Sequence, residues 1–220
     1  MLNATWLAID SIVMITVVDY KAGNLTSVKR ALDHLGIANQ IGADPEIVTK
    51  AQRIIFPGVG AAGAAMTVLK ATKLDKALKT AISNGTPVLG ICIGCQIVLT
   101  HSDEGDTDCL DVIPGTCVRL KVNDRTLKIP HMGWNSIRIV KPHPVLQHVQ
   151  AGDEFYFVHS YYPQPQEPTQ IYAECDYGGM FPVAIGRDNF FAVQFHTEKS
   201  GKLGLQLLKN FSEWHPRGNS

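Results

Sequence analysis

Cys92 lies in Gly90-Ile91-Cys92-Ile93-Gly94-Cys95-Gln96, where an apolar strand of Pro87, Val88, Leu89 and Ile91 gives way to a predicted helix through Ile97, Val98 and Leu99. Glycines on both sides let the backbone turn sharply, and a helix start aims amide dipoles at the sulfur, a field that favours thiolate. That setting suits a nucleophile. Near the other end, Phe190-Phe191-Ala192-Val193-Gln194-Phe195 reads as a strand that delivers His196 and Glu198 at its carboxyl edge. Residues two apart on an extended chain point the same way, so the carboxylate can fix the imidazole tautomer and stabilise its cation. Cys92, His196 and Glu198 then form a nucleophile, a base and an orienting group. Both segments follow strands, and open parallel sheets place their active sites at strand carboxyl ends.

Other chemistries fit these residues less well. Most free cysteines are small buried hydrophobes, and Cys92 alone would be read that way. Cys92 and Cys95 form a C-x-x-C pair, but several α/β units precede it and only Ile93 and Gly94 separate the thiols, which is poor context for redox chemistry. A zinc site needs a second ligand pair at short spacing, whereas Cys109, Cys117 and Cys175 are scattered, so no metal is expected. Gly58-Val59-Gly60-Ala61-Ala62-Gly63 matches G-x-G-x-x-G literally. It follows the third predicted strand, and the position about 20 residues on falls near Ser83 and Asn84, with no carboxylate for a ribose. A flexible βα turn is the simpler reading, and no cofactor is expected.

The elements that must position these groups alternate in the first half. Ile15 to Asp19 reads as a strand, Asn24 caps a helix with Leu25, Val28, Leu32 and Leu35 on one face, and Gly36 follows its end. Ala38 to Ile41 and Arg53 to Phe56 give further strands, the latter leading into a small-residue helix. This alternation predicts an α/β fold, an open doubly wound and mostly parallel sheet with helices on both faces. After Cys109 the pattern becomes short strands: Cys117 to Leu120, Trp134 to Val140, Phe155 to Val158 and Ile171 to Cys175, expected to extend the sheet antiparallel over one edge. Pro163 to Pro168 reads as a polar loop, and Leu203, Leu207 and Phe211 mark a final amphipathic helix.

At 220 residues and 45% hydrophobic content the chain can bury the core of one domain. Its 20 basic and 20 acidic residues cancel, which gives no electrostatic reason to expect nucleic acid or an anionic membrane as partner. No apolar run approaches the ~20 residues that span a bilayer. Residues 1–13 lack the basic start of a secretory signal, and Met14, directly before the first strand, is an alternative start. The expected organisation is an N-terminal extension over 1–13, a single domain over 14–213 and a tail over 214–220. Five cysteines without disulfide-like spacing suit a reducing cytoplasm.

The motifs together resemble a known family. Gly90-Ile-Cys-Ile-Gly-Cys-Gln96 and Gln194-Phe-His-Thr-Glu-Lys-Ser200 are similar to the class I (triad-type) glutamine amidotransferases. Asp19-Tyr-Lys-Ala-Gly-Asn-Leu-Thr-Ser27, Pro57-Gly-Val-Gly60, Pro130-His-Met-Gly-Trp-Asn135 and Phe157-Val-His-Ser-Tyr-Tyr162 narrow the resemblance to the glutaminase subunits of imidazole glycerol phosphate synthase, in histidine biosynthesis. The motifs run in the family's order over nearly the whole chain. Two positions depart from the pattern: Thr197 stands where proline is usual, which would loosen His196, and Cys95 stands where methionine is usual, which gives Cys92 a possible oxidative partner.

The resemblance implies a set of roles. Glutamine is hydrolysed through a cysteinyl thioester on Cys92, with oxyanion donors at Val59 or Gly60 and at Ile93. Gly58, Gln96, Glu104 and the Ser160-Tyr161 backbone hold the substrate. Ammonia passes to a (β/α)8 cyclase subunit whose interface takes in Asn24, Trp134 and Lys199. Taken alone, Glu104 in its acidic run would be a solvated loop residue, and Trp134 is as readily core as interface. Three readings remain open beside this one: a paralogue feeding another ammonia-using pathway, a catalytically impaired regulatory subunit, and a cysteine hydrolase acting alone on another amide.

Overall fold

The structure is a computed structural model that describes residues 13–21 and 25–216. Asn24, expected as a helix cap and interface residue, lies outside the described residues, as do 1–12 of the expected extension and 217–220 of the tail.

The first half alternates as the apolar periodicity requires: β1 (Ile15–Val18), α1 (Leu25–His34), β2 (Asn39–Gly42), α2 (Pro45–Thr49), β3 (Arg53–Gly58), α3 (Ala62–Thr72), α4 (Leu74–Ser83) and β4 (Val88–Cys92). The second half holds α5 (Ile93–Gln96), β5 (Leu99–Ser102), β6 (Thr107–Asp108), β7 (Ile113–Arg119), β8 (His131–Ile139), β9 (Glu154–His159), β10 (Tyr161–Pro165), β11 (Ile171–Asp176), β12 (Met180–Arg187), β13 (Phe190–Val193) and α6 (Gly201–Glu213). The main sheet runs β2-β1-β3-β4-β13-β12-β11-β8-β9. Its first five strands are parallel and the rest antiparallel.

Each central strand is apolar on both faces because each face is covered. Ile15, Val17, Ile55, Leu89 and Phe191 pack with Val28 and Leu32 of α1 and with Leu207 and Phe211 of α6. Val18, Ile54, Phe56, Val88 and Phe190 pack on the opposite side with Met66, Leu69 and Leu78 of α3 and α4. This is the doubly wound arrangement, and it aligns the carboxyl ends of β3 and β4 beside the end of β13. No helix among the described residues is long and apolar enough to cross a membrane.

Four expectations are corrected. Ile97 to Leu99 is not helix: α5 is one turn, and the backbone beyond it bonds to the next segment through Leu110 N–H to Ile97 O, Ile113 N–H to Val98 O and Asp111 N–H to Leu99 O. A short buried apolar run carries no period that separates the two states. Cys117 to Leu120 lies in or beside β7, which joins a separate four-stranded sheet, β10-β7-β5-β6, and not the main sheet. Pro163 and Pro165 are in edge strand β10, not in a loop. Leu120 N–H bonds Ser160 O and Gln166 N–H bonds Pro114 O, so the prolines take the alternate positions, whose missing N–H would point away from β7. Finally, the last strand ends at Val193: Gln194 N–H still bonds Val183 O of β12, and Phe195 and His196 lie beyond the strand.

Candidate active site

Cys92 ends β4 at φ 55°, ψ −106°, a backbone conformation a β-substituted residue reaches only under constraint. The constraint is close packing. A Cβ on Gly94 would lie 2.0 Å from the Phe56 carbonyl oxygen and one on Gly90 2.6 Å from the Gly94 oxygen, so the elbow closes only with glycine on both sides. Since α5 is a single turn its dipole is small, and the expected helix field at the sulfur is minor beside the charged groups described below.

The β3–β4 register sets Gly58 opposite Cys92. Val59 is exposed, and Gly60 has φ +96°, open to glycine at no steric cost. Beyond it, Glu104 Oε2 accepts from Ala62 N–H at 2.7 Å, the first residue of α3. Glu104 therefore anchors the end of the Gly58–Ala61 loop, a role the sequence did not indicate. Ile93, expected as the second oxyanion residue, is buried, with its Cγ2 against Gly58.

His196 is held on its main chain from both sides. Its N–H donates to Tyr156 O at 2.9 Å, and Ser200 Oγ donates to its carbonyl at 2.6 Å. A 3-10 turn over Thr197–Lys199 then folds Glu198 back, and His196 Nδ1 meets Glu198 Oε1 at 2.8 Å with both side chains buried. The pair forms as expected, but through this turn and not through extended-chain alternation. His196 Nε2 and Glu198 Oε2 are buried without a hydrogen-bond partner. Burial alone would lower the His196 pKa, but the Cys92 sulfur beside it and the Glu198 carboxylate outweigh that and raise it to about 10. The ring therefore keeps its proton at neutral pH, between the sulfur and the carboxylate.

Two residues unread at the sequence level complete the surroundings. Gln194 Nε2 donates to Cys92 Sγ at 3.8 Å, and Gln194 Oε1 accepts from Gln96 Nε2 at 3.1 Å. Its place in the Gln194–Ser200 motif was the available signal. The Tyr20 hydroxyl fills the space where a Gly58 Cβ would go, buried and unpartnered, with its pKa raised by burial and by Cys92. Cys95, in α5, packs in the core on the α3 and α4 side, is fully buried, and has its thiol pKa pushed well up, chiefly by that burial. A thiol held in its protonated form is a poor oxidative partner.

Gln96 Nε2 also donates to Tyr161 O at 2.9 Å, which brings the expected substrate residues Gln96, Ser160 and Tyr161 together near Cys92. Trp134 and Lys199 both lie against Tyr156, at 6.1 Å between ring centroids and 5.6 Å from Nζ to centroid, on the surface beside the His196 turn. Among the described residues no group of His, Cys, Asp and Glu could hold a metal. A charged imidazole, its carboxylate and an elbow cysteine can carry out nucleophilic attack on a carbonyl with proton transfer to the leaving group.

The family model described as Glutamine amidotransferase class-I matches residues 16–213. Imidazole glycerol phosphate synthase subunit HisH of Nitratidesulfovibrio vulgaris (strain DSM 19637 / Miyazaki F) is 52% identical over 203 residues, covering 90% of this chain and 95% of that one. The HisH subunit of Dechloromonas aromatica is 46% identical over 211 residues, covering 92% and 97%. In fold the chain is similar to PurLQS from Thermotoga maritima, with a TM-score of 0.71 at 16% identity over 91% of this chain and 98% of that one. With a family match over most of its length and relatives at this identity, the chain belongs to the class-I glutamine amidotransferases and, within them, to the imidazole glycerol phosphate synthase HisH subunits.

Proposed function

We propose that this chain hydrolyses glutamine to glutamate and ammonia and passes the ammonia to a (β/α)8 cyclase subunit, which forms imidazole glycerol phosphate and releases the aminoimidazole carboxamide ribotide by-product. The observation that carries the reading is the buried His196 imidazole, bonded at Nδ1 to Glu198 and left free at Nε2 beside Cys92.

The Cys92 thiolate attacks the carboxamide carbon, and the amides of Ile93 and of Val59 or Gly60 hold the oxyanion. His196 Nε2 gives its proton to the departing nitrogen, which leaves as ammonia while the thioester forms. Acylation removes the negative charge from sulfur, one of the two causes that keep the ring protonated. The neutral imidazole then takes a proton from water as the water attacks the thioester, and glutamate and the thiolate are released. Glu198 orients the ring in both steps. Gln96, Glu104, Gly58 and the Ser160-Tyr161 backbone hold the amino-acid end of glutamine.

Free ammonia is protonated in neutral water and loses its nucleophilicity, so its consumer must dock at the site. Exposed Trp134 and Met132 on β8, with Lys199 and Val59, supply an apolar rim with one cation for that contact, and Asn24 is assigned to it from the motif. Five unpaired cysteines support a cytoplasmic setting. Glutamate release measured with and without the cyclase and its nucleotide substrate tests the reading. It should rise at least ~10²-fold on their addition if one oxyanion donor is gained, and Cys92→Ala should abolish it in both states. Full-rate hydrolysis by the isolated chain, unchanged by the cyclase, would replace this reading with an independent hydrolase.

A further inference from the structure

Behind the substrate segment two buried histidines meet ring to ring, and the mechanism above uses neither. His131 opens β8 and His159 closes β9, directly opposite in the strand register. His159 Nδ1 lies 2.8 Å from Tyr161 O, and since a carbonyl only accepts, the proton is on Nδ1. In the neutral ring Nε2 is then bare and must accept from His131 Nδ1 at 3.0 Å. His131 Nε2 is bare in turn and accepts from Asn135 Nδ2 at 3.3 Å. That amide cannot be reversed, because Nδ2 also donates to Asp176 O at 3.0 Å and Oδ1 accepts from Ser136 N–H at 2.8 Å. Every proton in the chain thus has one direction, and both histidines are Nδ1–H tautomers.

A second proton on either ring would set N–H against N–H. Burial also opposes it, lowering His131 to about 4 and His159 to about 3. Stacking of His131 between Phe157 and Tyr177, at 4.7 Å and 4.0 Å between centroids, holds its plane. From Tyr161 O the bonds continue through Gln96 to Gln194 and the Cys92 sulfur. The carbonyl that receives His159 therefore belongs to the segment assigned to the amino-acid end of glutamine.

We propose that His159 is a positioning residue for the glutamine-holding segment Ser160-Tyr161, and that His131, oriented by Asn135, locks the tautomer His159 needs. The inference rests on the glutaminase reading. With the other tautomer, the bare Nδ1 of His159 would face the Tyr161 oxygen, lone pair against lone pair, and that carbonyl would lose one of its two side-chain hydrogen bonds.

The test uses the full chain with its cyclase, scored by KM and kcat for glutamine, together with the 15N shifts of the histidine rings. His159→Leu should raise KM about tenfold or more with a smaller change in kcat, since uniform binding is what is lost. His159→Asn, which keeps an N–H near the Nδ1 position, should restore most of the affinity. His131→Leu should raise KM when residue 159 is histidine and do much less in the His159→Asn background, where there is no tautomer to lock. The 15N shifts should show both rings as Nδ1–H at neutral pH, a readout that stands even if a variant fails to fold. An Nε2–H tautomer or a protonated ring, an unchanged KM in His159→Leu, or an equal cost of His131→Leu in both backgrounds would overturn the proposal. Absence of glutamine turnover in the unmodified complex would instead overturn the glutaminase reading itself.

Discussion

Gly204 and Thr197 are in direct backbone contact: a Cβ on Gly204 would lie 1.8 Å from the Thr197 carbonyl oxygen and 2.8 Å from its carbonyl carbon. The first turn of α6 therefore rests on the 3-10 turn that folds Glu198 onto His196. Neither partner in this contact is a flexible side chain, so Gly204→Ala must move the turn or the helix. Overpacking of this kind costs about 1–3 kcal/mol. Urea unfolding should show that loss, and glutamine kinetics should show a fall in kcat larger than any change in KM, because the displaced group is the base and not the substrate grip.

Thr197 was expected to loosen His196, but the structure holds His196 through Tyr156, Ser200 and Glu198. The threonine contributes a buried hydroxyl with no partner. His196 already has the extended backbone that a residue before proline adopts, at ψ 102°. Thr197→Pro should thus fit without strain, remove the orphaned hydroxyl and stabilise the fold by about 1 kcal/mol. Turnover should stay within about threefold, under the tenfold that 1.4 kcal/mol of misorientation would produce. A large rise in kcat would show that the threonine does disorder the base.

The His196 ring predicts a pH dependence with a definite sign. Its folded pKa of about 10 lies above the ordinary 6.5, so the fold binds this proton more tightly than the unfolded chain does. The stability this contributes is fully present below about pH 6.5 and is lost as pH rises through about 10. Removing the sulfur or the carboxylate takes away one of the two groups that oppose burial. In an NMR titration Cys92→Ala and Glu198→Gln should each lower the ring's pKa, and the alkaline loss of thermal stability should flatten in both. An unshifted ring in Cys92→Ala would mean that the sulfur does not interact with it.

The groups proposed to react were legible because their motifs are local. Gly90–Gln96 and Gln194–Ser200 each fix a turn through adjacent residues, and β1, β3 and β4 are buried on both faces, which writes a continuous apolar run into the sequence. What escaped depends on distant partners. β12 (Met180–Arg187) contains Pro182 and Gly186 and follows Gly178-Gly179, so it reads as turn, although Phe181 to Ile185 are all buried. The Ile97–Leu99 segment takes its shape from residues 110–113. Gln194 is recognisable as a ligand of sulfur only once β13 stands beside β4. Glu104 as the anchor of α3 could not be seen from its acidic neighbours either, because its partner Ala62 is far away in sequence.

Trp134 is 54% exposed, rests on Tyr156, and stands on the strand that also carries Met132, 62% exposed. Its ring is not part of the core, so truncation should leave the monomer intact. Large aromatics at the centre of an interface are the side chains whose loss costs 2 kcal/mol or more, about thirtyfold in affinity. Trp134→Ala should therefore weaken cyclase binding by about that factor in calorimetry, while the unfolding midpoint and the basal glutamine hydrolysis of the isolated chain stay within about twofold of the unmodified protein. Glu104→Gln makes the useful contrast, since it alters the anchor of Ala62 and should lower glutamine turnover without changing cyclase affinity. If Trp134→Ala binds the cyclase as tightly as the unmodified chain, the face of β8 is not the docking surface and the ammonia must leave by another side of the His196 turn.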